Sequence, residues 1–271
     1  MKETVTSAVN PKIKELLALQ EKSRGRREKG LFVVEGLREA GRCMDAGYVP
    51  RTLFICTELL KDVTAEEIER KAMKNNPRCG IIYVTPAVYA RIAAREGTEG
   101  VTAEMYCRPN RLEDITLRDN PLVAVLESVE KPGNIGAVLR SADAAGADAV
   151  IICDPLTDLY NPNLIRASVG AVFSMQVAIA DSRDAIAWLK ANGIRILTAQ
   201  LQDSRPYYEC DMTAGTAIVM GTESTGLTEI WRRAADSRIR IPMLGALDSL
   251  NVSVSAAVLM FEAVRQRLGK K

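Results

Sequence analysis

The stretch Ile239–Arg267, IRIPMLGALDSLNVSVSAAVLMFEAVRQR, decides how the chain reads. Arg238 to Ile241 alternate into a short strand that Pro242 ends. Met243–Leu250 follows as a turn-rich loop holding Gly245, Asp248 and Ser249. Val254, Ala257, Val258, Phe261 and Val264 then recur at spacings of three and four, which predicts a helix with one apolar face. Ser249 or Asn251 is placed to cap it. Strand, loop and capped helix start is where α/β proteins put ligands, because free N–H groups and the helix dipole converge there. The same pattern also serves a plain C-terminal βα unit.

Outward from this stretch, the alternation of strand and helix continues back to Pro121. Strands are expected at Leu122–Leu126, Ala149–Cys153, Met175–Ile179, Ile194–Ala199 and Ala217–Met220. Helices are expected at Asn134–Ala145, Pro162–Phe173, Ser182–Asn192 and Thr228–Ala235. With Arg238–Ile241 this makes a parallel sheet of about six strands. Residues 113–120, where charged residues and Asn cluster without period, read as a linker between residues 1–112 and a second domain over 121–271.

In the first domain, Asn10-Pro11 opens a helix with Ile13, Leu16 and Leu17 on its apolar face. Lys22–Lys29 carries five basic residues in eight and reads as an exposed loop. Its Arg24, Arg26 and Arg27 are candidates for phosphate contact, or else solvated surface. Strands Leu31–Gly36, Arg51–Cys56 and Gly80–Val84 alternate with helices Gly36–Gly47, Thr64–Asn75 and Pro86–Ala94, again an α/β pattern.

Composition narrows the chemistry. The chain has no histidine, which removes Ser-His-Asp and Cys-His nucleophiles and His-ligated metal sites. Its six cysteines are scattered with no C-x-x-C pair, so neither zinc nor a disulfide framework is expected and a reducing cytoplasm is. No apolar run reaches the roughly 18 residues of a membrane helix, and no signal peptide is expected. The net charge of +2 is uneven: residues 1–112 hold 20 Lys and Arg against 15 Asp and Glu, leaving a negative balance in the rest. The positive excess hints at a polyanionic partner.

Three separated segments carry chemistry. Pro132–Arg140 joins a strand to a helix, with Asn134 and Arg140 six apart and therefore on roughly one side of it. A buried arginine at that place needs an anion or a paired acid. Val219–Leu227, VMGTESTGL, holds Glu223 between two glycines that let the backbone approach a flat ligand. The third segment is Ile241-Pro242-Met243 with Ser249–Ser253. Together they resemble the three motifs of the SpoU (TrmH-type) RNA 2′-O-ribose methyltransferases of the SPOUT superfamily. The first, N-x-G-x-x-x-R, matches at Asn134, Gly136 and Arg140; the second, G-x-E-x-x-G-L, at Gly221, Glu223, Gly226 and Leu227. The order helix, basic loop, FVVEG resembles the family's N-terminal RNA-binding domain, which is related to a ribosomal-protein fold.

The resemblance implies a C-terminal deep trefoil knot, an arrangement that fold rules alone disfavour. It implies S-adenosylmethionine as cofactor, with Ala199, Gly221, Ile241, Met243 and Leu250 around it. It implies methyl transfer to a ribose 2′-hydroxyl of RNA, ribosomal RNA rather than transfer RNA, since transfer RNA enzymes of the family often lack the N-terminal extension. Arg140 would stand at the 2′-hydroxyl and hold a phosphate or developing alkoxide. Asn134 would orient Arg140 or the ribose, Glu223 is the protein candidate for a base, and Ser249 and Asn251 would fix the cofactor loop and contact substrate. A homodimer is implied as well, with Val254, Phe261 and Val264 as interface or core. Two other readings stay open from residues alone. One is a non-catalytic RNA-binding or ribosome-assembly protein on the same fold. The other is an NAD-linked oxidoreductase using Gly133, Gly136 and Asp154.

Overall fold

A computed structural model describes residues 2–61, 63–93, 99–222 and 225–269. Contacts divide the chain into two units, Met1–Pro109 with Tyr160–Ile165, and Asn110–Leu159 with Arg166–Lys271.

The first unit runs β1 (Lys2–Val5), α1 (Pro11–Glu21), α2 (Ser23–Lys29), β2 (Leu31–Glu35), α3 (Leu37–Asp45), β3 (Pro50–Ile55), α4 (Ala65–Asn75), β4 (Gly80–Val84), α5 (Pro86–Ile92) and β5 (Val101–Tyr106). The sheet order is β1-β4-β3-β5-β2, with β5 antiparallel to both its neighbours. Local chemistry sets the helix starts. Asn10 accepts from Lys12 N at 2.9 Å ahead of Pro11, and Thr64 and Glu67 form a reciprocal capping box. Ile13, Leu16, Leu19, Phe54 and Ile92 meet in the core.

Two expectations for this unit are corrected. Lys22–Lys29 is not a loop: Ser23–Lys29 is helical, closed by Gly30 at φ +62. Arg26 faces inward, 3% exposed. Its Nη1 donates to the carbonyls of Leu19 and Gln20 at 2.6 and 3.0 Å, satisfying groups that the end of α1 leaves open. Arg24 and Arg27 are exposed, and Arg24 pairs with Glu28 one turn on. The unit also gains β1 and β5, which sequence reading left out.

The second unit continues with β6 (Leu122–Glu127), α6 (Pro132–Ala144), β7 (Ala149–Cys153), α7 (Pro162–Ser168), α8 (Ala171–Ser174), β8 (Val177–Ala180), α9 (Ser182–Ala191), β9 (Arg195–Ala199), β10 (Arg205–Pro206), β11 (Thr216–Met220), α10 (Glu229–Ala234), β12 (Ser237–Arg240) and α11 (Val252–Leu268), α7 straddling the boundary between units. The sheet is wholly parallel, in the order β10-β12-β9-β11-β6-β7-β8. The six expected strands are present, and two-residue β10 is added at the edge. The expected helix Pro162–Phe173 is broken, because Val169 at φ +52 and Gly170 at φ +90 turn the chain between α7 and α8. Val123, Val125, Ile151, Ile196 and Val219 pack on one face with Leu189 and Trp231. The alternate residues of the same strands are buried as well, and α11 packs on α6, β6 and β11.

The stripe expected to bury α11 is corrected too. Val252, Ala256, Leu259, Met260 and Ala263 are its buried apolar residues. Val254 and Phe261 are each 47% exposed, on the outer side.

Asp148 pins the sheet where β6 and β7 begin. Its carboxylate accepts the backbone N–H groups of Arg118 and Leu122 at 3.0 and 2.8 Å, and Arg118 Nε at 2.8 Å. Burial pushes the carboxyl up, but these donors and the Arg118 charge outweigh it and hold it below its ordinary value. A depressed folded value means stability that is present above the unfolded pKa and lost as pH falls through the folded one. Asp148→Asn is therefore expected to cost about 1–3 kcal/mol at pH 7. In urea titrations the gap to wild type should shrink as pH drops below the unfolded carboxyl's value of 3.8.

Candidate active site

Parallel strands bring their carboxyl ends to one edge, and open α/β sheets bind ligands there. The register aligns Ile239 with Ala199, Val219 with Thr198 and Met220 with Leu126. The neighbouring strands β12, β9 and β11 thus present Ile241, Ala199 and Gly221 at adjacent ends, each half-buried. The next strand, β6, feeds α6.

Two segments far apart in sequence meet at this edge. Asn251 caps α11, its Oδ1 accepting Ser253 N at 3.0 Å. Its Nδ2 donates to Asn134 Oδ1, in the first turn of α6, at 3.2 Å. Both ends of the Asn251 amide are therefore used, which fixes its orientation. Arg140 lies about two turns further along α6. It is exposed rather than buried, and its side chain makes no hydrogen bond or ion pair with any described residue. Water already solvates it, so no partner acid is required to keep it charged.

The second segment closes tightly. Thr222 and Gly226 form an antiparallel bridge, with Gly226 N donating to Thr222 O at 3.1 Å. A Cβ built on Gly221 would lie 2.4 Å from the Gly226 carbonyl carbon and oxygen and 2.6 Å from Leu227 N. Only glycine fits that approach. Glu223 lies outside the described residues.

The loop between β12 and α11 is open. Among the described residues no backbone hydrogen bond engages 243–250. Leu244 and Leu247 are 99% and 74% exposed, and Leu250 is 38% exposed. Met243 is half-buried. Ser249 is exposed and its hydroxyl donates to Asp248 at 3.0 Å. Free N–H and C=O groups beside apolar side chains suit a heteroaromatic ring read by main-chain hydrogen bonds. No cluster of His, Cys, Asp or Glu among the described residues is arranged to hold a metal ion. Arg24, Arg26 and Arg27 belong to the first unit.

Four side chains beside the site had no place in the motifs. Glu127, the last residue of β6, is 2% exposed and joins the buried Ser182 and Trp231 and the exposed Thr228 in a hydrogen-bond network. The one signal in sequence is an acid closing the apolar run Leu122–Leu126.

Residues 121–261 match the SpoU rRNA Methylase family, and residues 10–103 match the MRM3-like substrate binding domain. The chain belongs to the SpoU rRNA methylase family. The 23S rRNA (guanosine-2'-O-)-methyltransferase RlmB of Vibrio cholerae is 32% identical over 224 residues, covering 82% of this chain and 86% of that protein. The tRNA (guanosine(18)-2'-O)-methyltransferase of Thermus thermophilus is 39% identical over 164 residues, 59% of this chain and 84% of that protein. The crystal structure of the AdoMet-bound rRNA methyltransferase from Sinorhizobium meliloti superposes with a TM-score of 0.88 at 30% identity, covering 97% of this chain and 98% of that one.

The geometry of the second segment can be checked directly. Gly221→Ala is expected to destabilise the fold by about 1–3 kcal/mol, the usual cost of overpacking. Gly245→Ala, whose Cβ would meet no atom within 4 Å, should leave the thermal midpoint unchanged.

Proposed function

We propose that this protein methylates a ribose 2′-hydroxyl of ribosomal RNA with S-adenosylmethionine as donor. The Asn251–Asn134 hydrogen bond carries the reading, because it joins the start of the helix bearing Arg140 to the end of the open loop. When bound, S-adenosylmethionine supplies an electrophilic methyl group on a sulfonium. Ala199, Gly221, Ile241, Met243 and Leu250 would hold it, and their apolar side chains and free main-chain groups fit an adenosyl moiety.

A ribose hydroxyl attacks poorly until its proton departs. A guanidinium is a poor proton acceptor, so Arg140 serves as an electrostatic anchor for a substrate phosphate or the developing alkoxide, not as the base. Asn134 and Asn251 set where α6 starts, and with it where Arg140 stands; Ser249 acts in the loop. Glu223 is the protein group proposed to take the proton, with a substrate phosphate as the other acceptor.

Ribosomal RNA is preferred to transfer RNA because the Vibrio cholerae relative extends over most of this chain, whereas the Thermus thermophilus relative matches little more than half of it. The match of residues 10–103 to a substrate binding domain supports the first unit as the RNA-holding part, on a ribosomal-protein-like fold. Arg24 and Arg27 are its proposed phosphate contacts; Arg26 is withdrawn, since its guanidinium is committed to main-chain carbonyls. The exposed Val254 and Phe261 on α11 support a homodimer formed through that helix. A C-terminal trefoil knot, in which the segment after β12 threads a loop before α11 packs on α6 and β11, is part of this proposal and comes from the family resemblance. None of the six cysteines is in a disulfide, which suits a cytoplasmic site of action, and no helix among the described residues is long and apolar enough to cross a membrane.

Arg140→Ala should reduce methylation of ribosomal RNA by about a thousandfold, the scale of losing one transition-state electrostatic contact, with calorimetric S-adenosylmethionine affinity unchanged. Turnover at the wild-type rate would refute the role of Arg140. Wild-type protein that binds NAD and ignores S-adenosylmethionine would refute the activity itself. Replacing Arg24 and Arg27 together by Ala should weaken RNA binding and lower the slope of log K against log salt by about 1–2.

A further inference from the structure

Glu127 places a carboxylate where almost no water reaches it. Its Oε2 accepts the backbone N–H of Thr228 at 2.9 Å, and its Oε1 accepts the Thr228 hydroxyl. The Ser182 hydroxyl stands 3.5 Å from Oε1, donates to Asp154 Oδ2 at 2.5 Å and accepts from Trp231 Nε1 at 2.8 Å. Hydrogen bonds to an ionised acceptor are among the strong ones, and a carboxylate taken from water needs them.

The position of Thr228 gives this bond its meaning. Thr228 directly follows Leu227, so it is the departing leg of the turn that begins at Gly221. The arriving leg is β11, whose last residue, Met220, is in register with Leu126 of β6. Both legs of the turn therefore rest on consecutive residues of one strand, Leu126 through the ladder and Glu127 through its side chain. From Glu127, where β6 ends, the chain turns through 128–131 into α6, which carries Asn134 and Arg140.

We propose that Glu127 is a positioning residue that fixes the turn at Gly221 against the start of α6, and so sets the donor-holding segment relative to Arg140. The proposal rests on the methyltransferase reading for its consequence, though not for its geometry. Glutamine can keep both contacts, its carbonyl oxygen accepting the Thr228 N–H and its NH₂ donating to the hydroxyl. Alanine keeps neither, and valine at 228 removes the hydroxyl alone.

The test uses the full-length chain as Glu127→Ala, Glu127→Gln and Thr228→Val, well below their thermal midpoints. Isothermal titration with S-adenosylmethionine and amide hydrogen exchange over 220–230 are the readouts. Glu127→Ala is expected to bind the donor about tenfold or more weakly and to speed exchange in that segment, while exchange in α1 and β2 stays as in wild type. Glu127→Gln should stay within about threefold of wild type, because its amide retains an acceptor and a donor. If Glu127→Ala does not fold, Thr228→Val decides, with weaker donor binding expected. Wild-type affinity and wild-type exchange in whichever of these two variants folds overturn the proposal. If the wild-type protein itself fails to bind S-adenosylmethionine, the functional reading falls, and exchange in the variants alone decides whether Glu127 holds the turn.

Discussion

A single amide, the side chain of Asn251, ties the end of the open loop to the first turn of α6. Its geometry depends on α11 lying against α6, β6 and β11, which the burial of Ala256, Leu259, Met260 and Ala263 secures. Apolar packing thus supplies the force, and the amide supplies the register. A helix slid by one turn would keep much of the first and lose the second. The carboxyl ends of β12, β9 and β11 are aligned by the same sheet, so the loops that leave them cannot drift apart.

The site relies on groups whose charge does not change near neutrality. With no histidine in the chain, proton movement falls to carboxylates, to hydroxyls or to the RNA itself. Two arginines illustrate how placement divides one chemistry into different jobs. Arg140 is exposed and lacks a partner among the described residues, which leaves its charge for a ligand. Arg26 spends its donors on the carbonyls at the end of α1 and is structural.

Much of this could be read from the chain. The parallel sheet and most of the first unit's helices follow from periodicity and caps, and the convergence of Asn134 with Asn251 is what the family resemblance implies. What escaped did so for physical reasons. β1 is four residues with three polar ones in a row, β5 is interrupted by Thr102 and Glu104, and both depend on partners remote in sequence. Lys22–Lys29 looked like a loop because charge pattern was weighed above helix propensity, and a buried Arg26 balanced only by carbonyls leaves no trace in composition. On α11 an apolar residue stands at almost every position of 254–264, so the inward stripe could not be told from the outward one by period. Val169 broke an expected helix because the αL conformation it adopts is one that β-branched residues seldom take, and sequence does not advertise it. Glu127 showed only as an acid ending an apolar run, and its role was hidden because its partner, Thr228, lies 101 residues away.

The Asn134–Asn251 pair is 117 residues apart in the chain. During synthesis, α6 emerges with an apolar face that nothing can cover until α11 has been made. Contacts of such long range are slow to form, and the surfaces waiting for them invite association with other nascent chains. The first unit can gather its own sheet from Lys2 to Tyr106 without that wait. The two halves of this protein are thus on different clocks at birth, and the half that carries the chemistry is the one that needs shelter.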